Sequence, residues 1–362
     1  MPLAPIAIDV AILGASGFGG GELLRLMLAH PNVARIAAIS RSHAGKAIAS
    51  LHPHLRGLSS DTFKAELDFA ALDSAQNPVL FAALPHGEFA KLWPELRQRL
   101  PANTTVIDLS ADFRLRTSEA FAAAYGYAHP CPEHLPEFVY GLPEARSANL
   151  AGAKRIANPG CFATAIALAL LPLVALGRDF GRIHISAVTG SSGSGTQPSS
   201  GTHHPTRAHD FRAYKILTHQ HQSEIQACLD QAARQIGGDA RAPEFSLVPH
   251  SAPMVRGIFA TCQFELPAVS ASALSSSALI QAYRTQYQHS RFVHVIDESP
   301  RAAAVAGSNF CELSVHSVGN SVAVLCAIDN LGKGMAGQAL QNMNLALGLP
   351  ENAGLMAAAL FP

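Results

Sequence analysis

Pro159-Gly160-Cys161, set between a short apolar run and the apolar stretch from Phe162 to Leu176, joins a nucleophilic residue type to the start of a helix. A helix N-terminus presents unpaired backbone N–H groups and the positive end of the helix dipole. A cysteine placed there is drawn toward thiolate and has donors ready for a developing oxyanion. Such a thiolate attacks acyl carbons. A lone cysteine is more often a small buried apolar residue, so the case for Cys161 rests on its surroundings.

A thiol nucleophile works with an imidazole that takes its proton, and the imidazole with a group that fixes its tautomer. His219-Gln-His-Gln-Ser-Glu224-Ile supplies both at what reads as another helix start. His221 is the expected base, His219 the alternative, and Glu224 the orienting acid. Seventeen histidines also raise a metal hypothesis, with His52-x-His54, His203-His204 and His219-x-His221 as the pairs to test. Metal sites need three or four convergent ligands. None of these pairs has a Cys or acid cluster at standard spacing, Glu224 apart, so no metal is expected. Arg114, Arg207, Arg212, Arg256 and Lys215 are candidates for holding a carboxylate or phosphate.

These groups need elements to position them. Ile6 to Leu13 is β-branched and apolar and runs into Gly14-Ala-Ser16-Gly17-Phe18-Gly19-Gly20 ahead of the helix-like GELLRLMLAHP. Strand, glycine turn and helix in that order suit a dinucleotide pyrophosphate, which rests on the N–H groups of the helix start; Gly14, Ser16, Gly17, Phe18 and Gly19 would line it. A second strand, Val33 to Ile39, follows at βαβ distance. Where an NAD site usually carries an acid for the ribose hydroxyl, this chain offers Ser40, Arg41, Ser42 and Lys46, which suit a 2′-phosphate, so NADP(H) is the expected cofactor. Further strands at NPVLFAALP and TTVIDLSAD alternate with helices such as HGEFAKLWPELRQRL, giving a doubly wound α/β domain of Rossmann type.

After Cys161 the pattern becomes α+β. Strands are expected at RIHISAVTG, FSLVPH, MVRGIFATCQFEL, FVHVI, CELSVHSV and SVAVLCAI, in a mostly antiparallel sheet. The Gly/Ser-rich run from Gly190 to Pro205 reads as a loop that closes over a ligand. The glycine-punctuated stretch beginning at Asn330 is expected to be an amphipathic helix that returns to the first domain. The expected organisation is a cofactor domain over 1–158 completed by a helix at 330–350, and a catalytic and oligomerisation domain over 159–329.

Composition narrows the partners. The 362 residues are 48% apolar, and 26 basic residues balance 26 acidic ones. No net field recruits nucleic acid or an anionic membrane, so small-molecule partners are expected. Six cysteines without a C-x-x-C pair fit neither a zinc ribbon nor a disulfide scaffold, and a working thiol needs a reducing compartment. The opening MPLAPIAIDV has no basic leader region and no apolar run reaches membrane length, so the expected location is the cytoplasm.

A cofactor that carries hydride and a thiol that carries an acyl group belong together: an acyl-enzyme on Cys161 can accept hydride and release an aldehyde. The motifs Gly14-Ala-Ser-Gly-Phe-Gly-Gly-Gly-Glu-Leu-Leu, Leu84-Pro-His-Gly87, Asp108-Leu-Ser-Ala-Asp-Phe-Arg114, Tyr140-Gly-Leu-Pro-Glu144, Ala157-Asn-Pro-Gly-Cys-Phe-Ala-Thr164, Pro253-Met-Val-Arg-Gly-Ile258 and Asp329-Asn-Leu-Gly-Lys-Gly334 resemble the N-acetyl-gamma-glutamyl-phosphate reductases of the semialdehyde dehydrogenase family. The likeness spans nearly the whole chain. It implies reduction of N-acetyl-glutamyl 5-phosphate by NADPH in arginine biosynthesis, a thioester on Cys161, a base in the His-x-His-x-x-Glu segment, and a homotetramer. It also implies cofactor contacts at Pro85, Ser192, Gly193 and Asn330, and substrate contacts at Asn158 and among the arginines.

One region departs from the pattern. Ser192-Gly-Ser-Gly-Thr196 stands where many members carry Ser-Gly-Ala-Gly-Arg, and Thr202-His-His-Pro-Thr-Arg207 with Tyr214-Lys215 is closer to sister reductases that act on carrier-protein-linked aminoadipyl phosphate in lysine biosynthesis. The acyl group stays open between the two, with an acidic carrier as the partner in the second. A non-enzymatic NADP-sensing protein would keep the glycine turn without needing a reactive thiol, and a Cys/His hydrolase would leave that turn without a purpose.

Overall fold

The structure, a computed structural model, describes residues 6–145, 150–238, 240–266 and 275–361. The first five residues, part of the stretch read for a leader, lie outside these. The chain divides into two compact units, each made of three segments.

The first unit comprises Met1–Gly141, Asn149–Pro159 and Met335–Ala357. Its strands are β1 (Ile8–Leu13), β2 (Val33–Ile39), β3 (Pro78–Ala82), β4 (Thr105–Asp108), β5 (Val139–Tyr140) and β6 (Arg155–Ala157). They form an all-parallel sheet in the order β2-β1-β3-β4-β6-β5. Strands of such a sheet are covered on both faces, which is why β3 and β4 are buried throughout. The helix Glu88–Arg99 brings Phe89, Ala90 and Trp93 to one face. There Phe113 stacks on Phe138 at 4.0 Å, and Trp93 meets both rings edge-on.

The returning C-terminal helix, Gly337–Ala346, packs against β4 and the helix Phe18–Leu28. It is not two-faced as its sequence suggests. Gln338, Gln341, Asn342 and Asn344 are all buried, because amide side chains here replace water for backbone carbonyls. Asn342 donates to Gly141 at 2.8 Å, and Asn344 donates to Ala353 at 2.9 Å.

The second unit comprises Leu142–Ala148, Gly160–Gly334 and Ala358–Pro362. Its strands are β7 (Ile183–Thr189), β8 (Arg212–Ala213), β9 (Phe245–Ser251), β10 (Ile258–Glu265), β11 (Val293–Val295), β12 (Cys311–Val318) and β13 (Ser321–Ile328). The order is β11-β12-β13-β10-β7-β9-β8. β11 with β12 and β7 with β9 run parallel; the remaining pairs are antiparallel. Along β7, Ile183, Ile185 and Ala187 are buried while His184 and Ser186 are exposed, the alternation of a half-covered strand.

The helix Cys161–Leu176 packs on β10 and β13 and against the helices His221–Ile236 and Ser276–Tyr287. Pro172 lies inside it, and a proline has no N–H to give to the carbonyl four residues back, Leu168. Tyr287 fills that place: its hydroxyl donates to the Leu168 carbonyl at 2.5 Å, and the Tyr283 hydroxyl donates to Ala169 at 2.7 Å. The helix keeps its bonding while buried. Among the described residues no helix is long and apolar enough to cross a membrane.

Candidate active site

Cys161 is the first residue of its helix, after Gly160 with extended φ/ψ. A glycine has no side chain to cap the helix. Glu224, from the helix His221–Ile236, serves from outside: its Oε1 accepts the Gly160 N–H at 2.8 Å, and the carboxyl group is buried. Gly334 closes on the other side. A Cβ there would lie 2.9 Å from the Cys161 Cβ, so only glycine leaves the cysteine its place. Five of the six cysteines are buried and Cys161 is not. Burial pushes the Cys131, Cys228 and Cys262 thiols up to about 12, which removes them as nucleophiles.

The two histidines stand together. Their rings meet edge-on at 4.6 Å, and Phe162, next to the nucleophile, lies against both, at 5.3 Å from His219 and 6.1 Å from His221. The backbone N–H of His221 donates to Nδ1 of His219 at 3.2 Å. Nδ1 of His219 is therefore an acceptor, and the neutral ring carries its proton on Nε2. His219 presents a donor at Nε2. Glu224, read from sequence as the acid orienting a histidine, also holds the backbone of the thiol helix.

Tyr214, read from sequence only within the motif that separates the two substrate branches, stands beside the histidines. Its ring meets His219 at 5.8 Å, and its phenol is pushed up first by burial and then by the Cys161 thiol, which places it in the same electrostatic neighbourhood. The segment that carries it is strained, since Lys215 (φ 43°) and Leu217 (φ 59°) are left-handed without being glycine. Nothing in residue type announces that, because any residue pair can be forced there by its surroundings.

The expected anion ligands fare differently. Arg256 makes two hydrogen bonds to the buried Asp329, at 2.8 and 3.1 Å, and so first of all neutralises a carboxylate of the fold. Asp329 also accepts the N–H groups of Leu331 and Gly332. Arg207 is half-buried, bonded to the Ser251 hydroxyl and to the Ala252 carbonyl at 2.9 Å. Lys215 is exposed and donates to Gln220 at 2.8 Å; Arg212 is exposed and pairs with Asp210. In the first unit Arg114 is buried, its Nε on the Asn158 carbonyl at 2.7 Å. Asn158 is fully buried, donating to Met335 and accepting from Asn342, both at 3.0 Å. Arg114 and Asn158 therefore fix the chain just before Pro159 and Cys161.

The Gly190 loop is less free than its composition implies. Ser192 donates through its N–H and its hydroxyl to Val255, at 3.0 and 2.7 Å, and Asn330 donates to the Ser192 hydroxyl at 2.9 Å while accepting the Gly257 N–H. Gly193 follows in the same short turn, Ser191–Ser194.

The glycine turn in the first unit is built for close approach. Gly14 has φ 77°, and a Cβ there would sit 2.2 Å from the Ala83 carbonyl oxygen; at Gly19 it would meet Met335 at 2.3 Å. Gly17 precedes the helix Phe18–Leu28, and Phe18 is exposed at its first position. At the end of β2 the Ser40 hydroxyl donates to the Ser16 hydroxyl at 2.9 Å. Arg41, Ser42 and Lys46 are exposed, and the hydroxyls of Ser40 and Ser42 converge on His43 Nδ1 at 3.3 and 2.9 Å, a histidine the sequence reading passed over. No acid stands there, and the donor set fits a phosphorylated ribose. Pro85 is exposed after β3, where Asp112 caps the next helix by accepting from Gly87 and Ala90 at 2.7 and 2.8 Å. Among the described residues no cluster of His, Cys, Asp and Glu could hold a metal ion.

Residues 9–153 match the semialdehyde dehydrogenase NAD-binding domain, and residues 161–330 match the semialdehyde dehydrogenase dimerisation domain. The chain is similar to N-acetyl-gamma-glutamyl-phosphate reductase of Azotobacter vinelandii, with 41% identity over 98% of this chain and 100% of the relative. It is also similar to the reductase of that name from Methanosarcina barkeri, 40% identical over the same shares. Among solved structures it resembles aspartate semialdehyde dehydrogenase II of Vibrio cholerae (TM-score 0.66, 15% identity, 94% of this chain and 98% of that one). The aspartate semialdehyde dehydrogenase of Candida albicans solved with NADP is similar too (TM-score 0.62, 15% identity, 96% and 99%). At these identities the structural likenesses bear on the fold alone.

Proposed function

Since the chain belongs to the semialdehyde dehydrogenase family, in its N-acetyl-gamma-glutamyl-phosphate reductase branch, we propose that it reduces N-acetyl-glutamyl 5-phosphate to N-acetyl-glutamate 5-semialdehyde in arginine biosynthesis. The observation that carries this reading is Cys161, the one thiol of six that is not buried, at the start of a helix whose first N–H is held by Glu224.

Cys161 attacks the acyl carbon, forming a C–S bond as the C–O bond to phosphate breaks and inorganic phosphate leaves. His221 takes the thiol proton, and His219, a donor at Nε2, holds a substrate oxygen. Backbone N–H groups at the helix start stabilise the oxyanion. Bound NADPH supplies the hydride that reduces the thioester carbon. The alkoxide formed on that carbon takes its proton from His221; collapse of the thiohemiacetal returns the C–S electron pair to sulfur, frees the aldehyde and hands the hydroxyl proton back to His221. Ser40, Arg41 and Ser42, joined by Lys46, hold the 2′-phosphate, and Gly14, Ser16, Gly17, Phe18 and Gly19 receive the pyrophosphate.

In this reading 1–158 with the helix at 330–350 is the cofactor domain, 159–329 is the catalytic and oligomerisation domain, and the working form is a cytoplasmic homotetramer. The test is NADP reduction by the purified protein in the reverse direction with phosphate present. Turnover of N-acetyl-glutamate semialdehyde is expected. Turnover only of carrier-linked aminoadipate semialdehyde would keep the chemistry and replace the substrate. Arg41→Ala should weaken NADPH at least tenfold while sparing NADH; equal losses would refute a 2′-phosphate contact.

A further inference from the structure

His52-x-His54, a pair that finds no metal partners, is used otherwise. We propose that His52 is a positioning residue for the dinucleotide turn: by holding the Ala15 carbonyl it sets the direction of the Ser16 N–H that meets the cofactor phosphates. The inference rests on the reading of the glycine turn as the pyrophosphate site.

His52 is 5% exposed, and its Nε2 lies 2.8 Å from the Ala15 carbonyl oxygen. A carbonyl only accepts, so Nε2 carries the proton. The ring lies against the first turn of the helix, where a Cβ at Gly21 would come within 2.6 Å of its Cε1 and Nδ1. Phe63, itself buried, meets the ring edge-on at 6.0 Å, as does His54. Burial also lowers the His52 pKa, which keeps the ring neutral at pH 7.

The consequence follows from peptide geometry. In a planar trans peptide the C=O of one residue and the N–H of the next point in opposite directions. With the Ala15 carbonyl tied down to His52, the Ser16 N–H is turned away from the ring, toward the side on which a helix N-terminus receives anions. The turn is braced by other bonds, from Gly14 and Ala15 N–H to the Ile39 carbonyl, both at 3.1 Å. Those bonds fix where the turn begins; His52 fixes how its next peptide is rotated. Gly21 is then glycine to make room for the ring.

The experiment measures NADPH affinity by calorimetry on the full chain without substrate, together with steady-state kinetics and hydrogen exchange of residues 15–21 in the cofactor-free protein. His52→Ala should raise the Kd and KM for NADPH about tenfold, speed exchange in the turn, and leave kcat and the KM for acyl phosphate within twofold. His52→Gln, which retains a donor, should recover most of the affinity, and His54→Ala, which removes a ring packed on His52 but leaves the Nε2 bond, should cost at most about twofold. Gly21→Ala keeps the imidazole but displaces it, and should reproduce the loss. Wild-type affinity in both His52→Ala and Gly21→Ala overturns the proposal, as does a loss that Gln does not recover. Failure of the unaltered protein to bind NADPH would instead bring down the cofactor reading on which the proposal rests.

Discussion

Glu224 accepts the backbone N–H of Gly160 at 2.8 Å, across 64 residues of sequence. The acid that follows the two histidines therefore reaches the first turn of the helix that carries the nucleophile. Glutamine can accept the same hydrogen bond, whereas alanine leaves a buried N–H with nothing to bond. Glu224→Gln should retain kcat/KM within about tenfold, and Glu224→Ala should lose on the order of a hundredfold through misplacement of the thiol. Equal losses in the two variants would mean that the charge, not the acceptor, is what matters.

The hydrogen bond from His221 N–H to His219 Nδ1 fixes the tautomer of His219. With its proton on Nε2, neutral His219 is a donor, and the proposed mechanism gives the base role to His221. His221→Asn should lower kcat/KM by roughly 10²–10⁴ and flatten the acid limb of the pH–rate profile. His219→Asn can still accept the His221 N–H through its side-chain oxygen, and should keep the limb while losing less. If the limb vanishes only in the His219 variant, the two roles exchange.

Thiol accessibility gives a direct count. A small alkylating reagent at neutral pH should modify the native protein once per chain, at Cys161, with complete loss of activity, since the other five thiols are buried. Peptide mapping identifies the site, and Cys161→Ser should take up no label. Rapid labelling of a second cysteine would show that burial is not what protects it.

His30, His52 and His129 are buried, and burial lowers each pKa below 6.5. The unfolded chain takes up these protons near 6.5 and the folded chain only at lower pH. Between those values the unfolded state holds more protons, so stability rises with pH. Acidification should reduce the urea midpoint from about pH 6.5 downward and cease to do so below the folded-state values. Asp108, pushed up to about 7 by burial and then by Asp112, slopes the opposite way above its ordinary 3.8. The clean measurement is therefore a difference. His30→Gln can keep the bond to Asn344 that His30 makes at 3.0 Å and should show a smaller fall between pH 7.5 and 5.5. An unchanged fall would remove His30 from the account.

The sequence carries the fold well where local chemistry decides. β-Branched runs, the glycine turn and the alternation along β7 specify two sheets of different kinds, and both form. It carries partnerships poorly. Arg256 looks like an anion ligand, and only the fold reveals Asp329 in front of it. Asn158 looks like a substrate contact and proves buried between Met335 and Asn342. The amides of the last helix read as a solvent face, because polarity in one dimension cannot show which carbonyls will arrive from elsewhere. His43 went unnoticed, and Tyr214 was read only as a mark of the substrate branch, for the same reason: each gains its meaning from neighbours rather than from its type.

The interleaving of segments bears on how the protein is made. The nucleotide unit contains the first strand, yet the helix Gly337–Ala346 that packs on β4 and on Phe18–Leu28 follows the whole segment Gly160–Gly334 of the other unit. On the ribosome, therefore, the unit whose main segment is made first waits until Gly160–Gly334 has also been made before its last face is covered. The thiol unit can assemble in the meantime. The order of synthesis is thus reversed in the order of completion, and the exposed flank of the early sheet is the surface a chaperone would meet.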